Sequence, residues 1–402
     1  MAEQHEKALV PQIRFTGFTD PWEQRKLGEL YKEVSEKNDL TYGRDRIISV
    51  AHMYFNPVVY VTEDDYLKTY NVMRLGDIAF EGNRSKNFAH GRLVENTIGD
   101  GIVSHVFKVF RPIQPFDLMY WKYSINNEKA MKDVLTRSTK ASTMMHELVA
   151  KDFLNEEIAV PSLEEQRRIG AFFDRLDSLI TLHQRKYDKL CVLKKSMLDK
   201  MFPKGGSLYP EIRFAGFTDP WEQRKLGELY QKNDERNTDG LGSERTLSVA
   251  SMTFNSAGNG ADDSSLPNYK RLRLGDIAFE GHTNKEFAYG RFVLNDAGNG
   301  IMSPRFTCLR PIVEQEYSFW KYFIHSEKVM RPILVNSTKS GTMMNELVVE
   351  DFLKQEILVP SLPEQRRIGA FFDRLDSLIT LHQRKLELLR NIKKSMLDKM
   401  FV

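Results

Sequence analysis

The sequence predicts a mixed α/β (α+β) fold built twice. Each copy is a globular domain followed by a long helix, and the two helices pair antiparallel as a coiled-coil spacer with an approximate two-fold axis. Three observations predict this: the chain repeats itself at a constant offset of 199 residues, each repeat ends in a long segment with a seven-residue apolar period, and strand-like segments precede that segment.

The long segment at 161–202 returns at 360–401, and the two 42-residue copies are identical at 35 positions. Ser162 followed by Glu165 has the spacing of a capping box at a helix start. Residues at steps of seven from Ile169 to Met197 are apolar except for His183. A second series begins at Phe172 and is broken by Lys186, and the two series resemble the a and d positions of a coiled coil. A helix of this length spans roughly 60 Å, and its single apolar seam requires a partner, for which the other copy is the obvious candidate.

Chain connectivity predicts that the two helices run in opposite directions. Pro203 and the following glycines stop the first helix, and the linker at 203–209 is short. The second domain must therefore begin near the far end of the first helix. We predict domains at 11–160 and 210–359, joined to helices at 161–202 and 360–402.

Within the domains, segments that are similar in the two copies alternate with segments that differ. The entry segment 11–31 returns at 210–230, and RLGDIAFEG at 74–82 returns at 273–281 and predicts a turn into a buried strand. The segment 116–134 predicts one helix. By contrast, 39–70 matches its counterpart poorly, apart from a shared Ser-Val-Ala. Divergence confined to part of each domain suggests that the two domains recognise different things.

Composition indicates a soluble, folded protein and sets few other limits. The chain has 402 residues, of which 41% are hydrophobic and 28% charged, and its net charge is only +3. We find no apolar run of membrane-spanning length and no signal peptide at the polar start, so no membrane association is expected. Cys191 and Cys308 do not occupy equivalent positions, which favours a reducing cytoplasm over a disulfide framework.

No catalytic motif is found in the sequence. It contains no phosphate-binding G-x-x-x-x-G-K-[ST] or G-x-G-x-x-G, no H-E-x-x-H, and no Asn-Pro-Pro-Tyr tetrapeptide of the kind that an amino-methyltransferase needs. His183 and His382 lie on the helix seam, where a polar residue more often sets register than binds metal. We therefore predict neither a catalytic residue nor a metal site in this chain.

Basic and polar loops are the better candidates for function. Residues shared by both copies suit phosphates, which look alike at any sequence, whereas residues that differ suit base edges, where Arg prefers guanine and Asn prefers adenine. The shared candidates are Lys86, Arg92, Thr139 and Lys140 in the first copy and Lys285, Arg291, Thr338 and Lys339 in the second. The differing candidates are Arg84 and Arg137 against Thr283 and Asn336, and Thr143, Asn284 and Thr342 complete the predicted DNA-binding set.

Three motifs, each present twice, carry a family resemblance over essentially the whole chain. They are R-L-G-D-I-A-F-E-G, S-T-K-x-x-T-M-M-x-E-L, and P-S-L-x-E-Q-R-R-I-G-A-F-F-D opening a long helix. In these motifs the chain resembles the specificity (S) subunit of Type I restriction-modification enzymes. The resemblance implies two target-recognition domains, each reading one half of a bipartite double-stranded DNA site, and spacer helices that bind two methyltransferase (modification) subunits.

The resemblance also implies the chemistry of the partners. A complete enzyme of this kind adds restriction (motor-nuclease) subunits, and it methylates adenine or cleaves unmodified DNA. S-adenosylmethionine, ATP and Mg²⁺ are expected on the partner subunits, with no cofactor in this chain. Three other readings of the residues stay open: a coiled-coil scaffold that joins proteins without reading DNA, a self-contained restriction-methylation enzyme, and an RNA-binding adaptor.

Overall fold

The computed structural model describes residues 9–58, 63–83, 85–141, 145–255, 260, 262–341 and 344–402. These residues form two compact units. Unit 1 comprises Met1–Gln184 together with Arg384–Val402, and unit 2 comprises Arg185–Gln383. Each unit therefore combines one globular domain with portions of both long helices.

In unit 1, short strands and helices alternate before the long helix begins. The strands are β1 (Glu23–Lys26), β2 (Tyr31–Val34), β3 (Ile48–Ser49), β4 (Tyr54–Phe55), β5 (Asn71–Met73), β6 (Ile78–Glu81), β7 (Arg92–Glu95), β8 (Gly101–Val103), β9 (Val109–Pro112), β10 (Thr139–Ala141), β11 (His146–Leu148) and β12 (Glu157–Val160). The helices are α1 (Leu27–Leu30), α2 (Leu118–Ser124), α3 (Glu128–Ser138), α4 (Ala150–Asn155) and α5 (Leu163–Lys200), the last continuing into unit 2.

Unit 2 repeats this order almost element for element. Its strands are β13 (Glu222–Lys225), β14 (Tyr230–Lys232), β15 (Leu247–Ser248), β16 (Thr253–Phe254), β17 (Lys270–Leu272), β18 (Ile277–Glu280), β19 (Arg291–Leu294), β20 (Gly300–Met302), β21 (Thr307–Pro311), β22 (Thr338–Lys339), β23 (Glu346–Leu347) and β24 (Glu356–Val359). Its helices are α6 (Tyr317–Phe323), α7 (Glu327–Val335), α8 (Val349–Lys354) and α9 (Leu362–Lys399), the last ending in unit 1.

A four-stranded antiparallel sheet forms the centre of each domain, in the order β2-β9-β6-β7 and β14-β21-β18-β19. Strand β6 is buried along its whole length, as the Ile-Ala-Phe sequence predicts. The turn before it needs Gly76, whose φ of +86° is left-handed, and Asp77, whose carboxylate accepts the Arg74 amide at 2.8 Å and pairs with Arg111 at 2.9 Å. The predicted turn into a buried strand is confirmed.

The helix predicted at 116–134 is wrong in one respect, because the structure contains two helices, α2 and α3. The break comes at Asn127, whose side-chain oxygen accepts the backbone amide of Lys129 at 3.0 Å and so caps the start of α3. Asn offers the backbone this local alternative to a continuous helix, which a pattern of apolar residues alone does not reveal.

The hydrophobic core of each unit is closed by the end of a long helix. In unit 1 the buried ring of Phe401 lies 5.8 Å from Tyr120, 5.9 Å from Phe173 and 6.5 Å from Trp22. Phe202 occupies the equivalent place in unit 2. Each domain thus depends on the residues that end a long helix as well as on those that begin one.

Within each unit the two helical segments run antiparallel. In unit 1, Asp177 of α5 pairs with Lys393 of α9 at 2.6 Å, while Gln184, farther along α5, accepts a hydrogen bond from Arg390, which comes earlier in α9. The equivalent pair in unit 2 joins Lys194 and Asp376 at 2.6 Å. The predicted pairing of two long antiparallel helices is confirmed at this level.

The two apolar series of the helix seam differ in burial. Ile169 and Leu176 of the first series are buried, whereas Leu179 and Leu193 of the second remain more than a third exposed. One half of the predicted capping box forms, since the Ser162 hydroxyl accepts the Glu165 amide at 3.3 Å. The Glu165 carboxylate instead forms two hydrogen bonds with the side chain of Arg14, at 2.7 and 2.8 Å.

Across the residues that the structure describes, no helix has the length and apolar character needed to cross a bilayer.

Candidate nucleic-acid interface

Three segments of unit 1 meet at one surface, which we call the loop face. They are the loop between β6 and β7, with residues 82–83 and 85–91, the turn 50–53 between β3 and β4, and the hairpin β10–β11. The backbone amide of His146 in the hairpin donates to the Gly82 carbonyl at 2.9 Å, and a Cβ at Gly82 would collide with the His146 carbonyl. Glycine is therefore required where the loop and the hairpin touch.

The loop face is held together by an arginine. Arg92 donates through Nε to Glu81 at 2.6 Å and through Nη2 to the Ala51 carbonyl at 2.5 Å, and its guanidinium lies 5.2 Å from the centre of the Phe88 ring. We call Glu81, Arg92 and the Ala51 carbonyl the Glu–Arg clamp. Because it joins strand, loop and turn, it fixes the turn relative to the sheet.

Unit 2 has the same clamp on a matching loop face formed by 249–252, 281–290 and the hairpin β22–β23. Arg291 donates to Glu280 at 2.9 Å and to the Ala250 carbonyl at 3.2 Å, and it lies 5.2 Å from the Phe287 ring centre. In both units the arginine that the sequence singled out for phosphate contact has donors engaged with the protein. Its phosphate role stays a prediction.

The predicted lysines lie on the loop face and are exposed. Lys86 and Lys285 are in the loops, and Lys140 and Lys339 are in the hairpins, opposite Glu147 and Glu346 in the strand register. An exposed lysine can swing its ammonium group toward a phosphate. Phosphate contact by these four lysines stays a prediction.

Thr139, Thr338 and Asn284 form hydrogen bonds with the backbone through their side chains. The hydroxyls of Thr139 and Thr338 donate to the carbonyls of Leu135 and Leu334 at 2.6 and 2.8 Å. The Asn284 side-chain oxygen accepts the amides of residues 286 and 287 at 2.8 and 2.9 Å. Thr283 is exposed in the same loop. These residues shape the loop face whether or not they touch a ligand.

Arg137 and Asn336 come just before the hairpins of the loop face, and their side chains bind within the protein. Arg137 lies in the last turn of α3 and pairs with Glu156. Asn336 follows α7 and donates to the Pro332 carbonyl at 3.0 Å. Arg84, Thr143 and Thr342 lie outside the described residues.

Sequence reasoning missed two positions at the β3–β4 turn, one within the turn and one at the first residue of β4. His52 and Tyr54 in unit 1 are exposed, and Ser251 and Thr253 take their places in unit 2. The signal was present, because SVAHMYF and SVASMTF differ only at these two positions. The poor match of the surrounding segment concealed it.

A cleft lies beside the loop face in each unit. In unit 2 it has a volume of about 920 Å³, and Ser251, Phe287 and Lys195 are among the residues that line it. In unit 1 the cleft has a volume of about 610 Å³ and is lined by the equivalent loop residue Phe88 and the equivalent helix residue Lys394. Acidic and basic side chains both line these clefts.

Over the described part of the chain, no group of three or more His, Cys, Asp or Glu side chains is placed to hold a metal ion.

The structure thus defines a tandem-repeat protein of two mixed α/β units, each with a polar loop face built on the same clamp and joined to paired long helices. The chain belongs to the family described as the Type I restriction modification DNA specificity domain, whose model matches residues 19–191 and again 218–391. The resemblance stated from the motifs is confirmed.

Individual relatives share low sequence identity with this chain. The chain is 23% identical to the Type I restriction enzyme MjaVIII specificity subunit of Methanocaldococcus jannaschii, over 94% of this chain and 92% of the relative. Among solved structures, it is similar to the HsdS subunit from Thermoanaerobacter tengcongensis, with 20% identity, a TM-score of 0.48 and coverage of 96% of this chain and 98% of the other. It is also similar to a Type I restriction-modification S subunit from M. genitalium, with 13% identity, a TM-score of 0.48 and coverage of 98% and 99%.

Proposed function

We propose that this specificity subunit is the non-catalytic DNA reader of a Type I complex, and that each unit reads one half of a bipartite site. The observation that carries this proposal is the repeated loop face. Its clamp is the same in both units, while some of the exposed side chains around it differ. Two equivalent supports with different exposed residues suit two different half-sites.

The exposed flank of the helices supports docking of two methyltransferase subunits. Leu182 on α5 and Leu381 on α9 occupy equivalent positions, and both are nearly half exposed. Leu179, three residues before Leu182, extends the exposed apolar surface of α5 within unit 1. Apolar side chains on a polar helix are a natural contact for a partner helix. Replacing Leu182 by Glu should remove one methyltransferase subunit from the purified complex, and the matched Leu381→Glu should remove the other.

The chemistry of the complex then belongs to the partners. Adenine methylation and cleavage of unmodified DNA would be carried out by modification and restriction subunits, with S-adenosylmethionine, ATP and Mg²⁺ bound there. Our proposal includes the cytoplasm as the location, since the DNA to be read is there. The role of this chain is to position the half-sites and to set the gap between them.

Lysine substitutions on the hairpin test the DNA-reading role. If Lys140 contacts a phosphate, Lys140→Ala should weaken binding to specific and scrambled duplexes by similar factors. It should also lower the salt slope of binding by about one unit, because one fewer counterion is released. The measurement is a binding titration of the assembled methyltransferase at several salt concentrations, and Lys339→Ala should behave in the same way.

Lys26 provides a matched control for Lys140. It is an exposed strand lysine opposite a glutamate, Glu157, but it lies on β1 rather than on the loop face. Lys26→Ala should leave both the affinity and the salt slope unchanged. Equal effects of Lys26→Ala and Lys140→Ala would show that the loop face has no special contact with DNA. Tighter binding of duplex RNA than of duplex DNA would favour the RNA-adaptor reading.

A further inference from the structure

The eight-residue segment around the β3–β4 turn is nearly identical in the two units. Residues 49–56 read SVAHMYFN, and residues 248–255 read SVASMTFN. Six positions are identical, although most of the sequence around them has diverged. The two changes are His52 to Ser251 and Tyr54 to Thr253. The two units therefore keep the backbone of this turn and exchange two of its side chains.

The backbone of the turn is held in an unusual conformation. Met53 and Met252 both have a φ of +48°, which is disfavoured for a residue that carries a Cβ. Their amides donate to the carbonyls of Ser49 and Ser248 at 2.8 and 2.7 Å. Together with the Glu–Arg clamp on the preceding alanine carbonyl, these bonds make the turn a fixed support in both units.

The two exchanged side chains are exposed neighbours in each unit. In unit 1 the rings of His52 and Tyr54 lie 6.3 Å apart. In unit 2 the hydroxyls of Ser251 and Thr253 share a hydrogen bond of 2.7 Å. One unit thus presents two rings, each with polar atoms, where the other presents two small hydroxyls. The two surfaces differ in size, shape and hydrogen-bonding pattern.

We infer that the pairs His52–Tyr54 and Ser251–Thr253 are specificity-determining residues, each contacting the base edges of the half-site that its own unit reads. This inference rests on the proposed function. Small hydroxyls can donate to or accept from a base edge, whereas rings make apolar and stacking contacts that hydroxyls cannot. A rigid support holds either pair at the same place on the loop face.

The position of the pairs favours this role over that of an ordinary surface turn. The clamp ties the turn to the two strands that flank the loop carrying Lys86 or Lys285, so phosphate and base contacts would be made by one connected surface. Ser251 also lines the cleft beside Phe287. The shared lysines would bind any duplex, and the exchanged pair would select among duplexes.

Exchange of the pairs in the assembled methyltransferase provides the test. The double variant His52→Ser, Tyr54→Thr gives unit 1 the pair of unit 2, and Ser251→His, Thr253→Tyr does the reverse. Methylation is mapped on a DNA library in which either half-site is randomised. Each double variant should reduce methylation at the original half-site of its own unit by about tenfold to a hundredfold, and leave the other half-site unchanged.

Tyr66→Thr serves as the matched control, since Tyr66 is an exposed aromatic residue of the same divergent segment whose ring contacts Tyr70, 6.0 Å away. Unchanged base preference in both double variants would overturn the inference, and so would an equal change in Tyr66→Thr. If a double variant does not assemble, Tyr54→Phe and Ser251→Ala decide the matter, because loss of one hydroxyl should still alter base preference. Failure of the proposed function is distinguishable: the unaltered complex would then show no bipartite preference at all.

Discussion

A buried acid in unit 1 yields a prediction about stability and pH. Glu95, at the end of β7, is 2% exposed, and neither carboxylate oxygen has a hydrogen-bond partner. Burial raises the pKa of Glu95 from 4.5 to about 10; the nearby Asp117 adds to the rise and Lys122 opposes it. At neutral pH the folded protein therefore holds a proton on Glu95 that the unfolded chain releases.

The sign and size of the effect follow from this difference. Because the pKa is raised in the folded state, the contribution of Glu95 to stability is fully present below about pH 4.5 and is lost as the pH rises toward 10. Stability falls by roughly 1.4 kcal/mol for each pH unit above the unfolded pKa of 4.5, so the loss of folding free energy at pH 7 is about 3 kcal/mol. Unit 2 has Leu294 at this position, also 2% exposed. Glu95→Leu should therefore stabilise unit 1 by about that amount at pH 7, and by much less at pH 4.

Hydrogen exchange of β6 and β7, measured by mass spectrometry at pH 5, 7 and 8, reports the stability of unit 1 separately from that of unit 2. The protection gained by Glu95→Leu should grow with pH after correction for intrinsic exchange rates. The matched Leu294→Glu should weaken unit 2 with the opposite pH trend. A stability gain that is the same at every pH would refute the reasoning, because it would show that the pKa of Glu95 is the same in the folded and unfolded states.

Three further predictions concern packing, ion pairs and helix length. Phe401→Ala should destabilise unit 1 by about 3–5 kcal/mol and Phe202→Ala should do the same in unit 2, as measured by unit-resolved hydrogen exchange; loss confined to the helix ends would contradict this. Arg14→Ala should lower the free energy of unfolding, measured with denaturant, by about 3–5 kcal/mol, because it leaves the carboxylate of Glu165 buried and unpaired. Arg137→Ala, at an exposed ion pair, should lower it by less than about 1 kcal/mol. Equal losses in the two variants would refute the argument. Deleting one matched heptad from each long helix should shorten the gap between methylated half-sites by about three base pairs, since a heptad spans roughly 10 Å; an unchanged gap in an assembled complex would exclude the spacer role.

The fold was largely predictable because its signals are local and repeated. A seven-residue apolar period can only belong to a long helix, and Gly-Asp before Ile-Ala-Phe specifies a turn and a buried strand from neighbouring residues. The break between α2 and α3 was missed because it depends on one capping side chain at Asn127. The uneven burial of the helix seam also escaped prediction, because heptad spacing identifies apolar positions without showing which of them a partner covers.

The candidate site was less predictable, since it depends on contacts between distant segments. Charge and repeat comparison selected Lys86 and Lys140, which the structure leaves exposed on the loop face. The same reasoning selected Arg92 without showing that Glu81 and the Ala51 carbonyl already bind it. It also selected Arg137 without showing that Glu156 already binds it. Spacing along the chain cannot tell an exposed cation from one that is engaged in a tertiary ion pair.

The placement of Phe401 in the core of unit 1 has a consequence for synthesis. All of unit 2 lies in one continuous stretch, Arg185–Gln383, so its core can form as soon as that stretch leaves the ribosome. The core of unit 1 begins near Trp22 but requires Phe401, which is translated only after all of unit 2. We expect the amino-terminal unit to finish folding after its carboxy-terminal counterpart, the reverse of the usual vectorial order. Protease digestion of nascent chains stalled just after unit 2 would show unit 1 cleaved and unit 2 protected, and early protection of unit 1 would contradict this order.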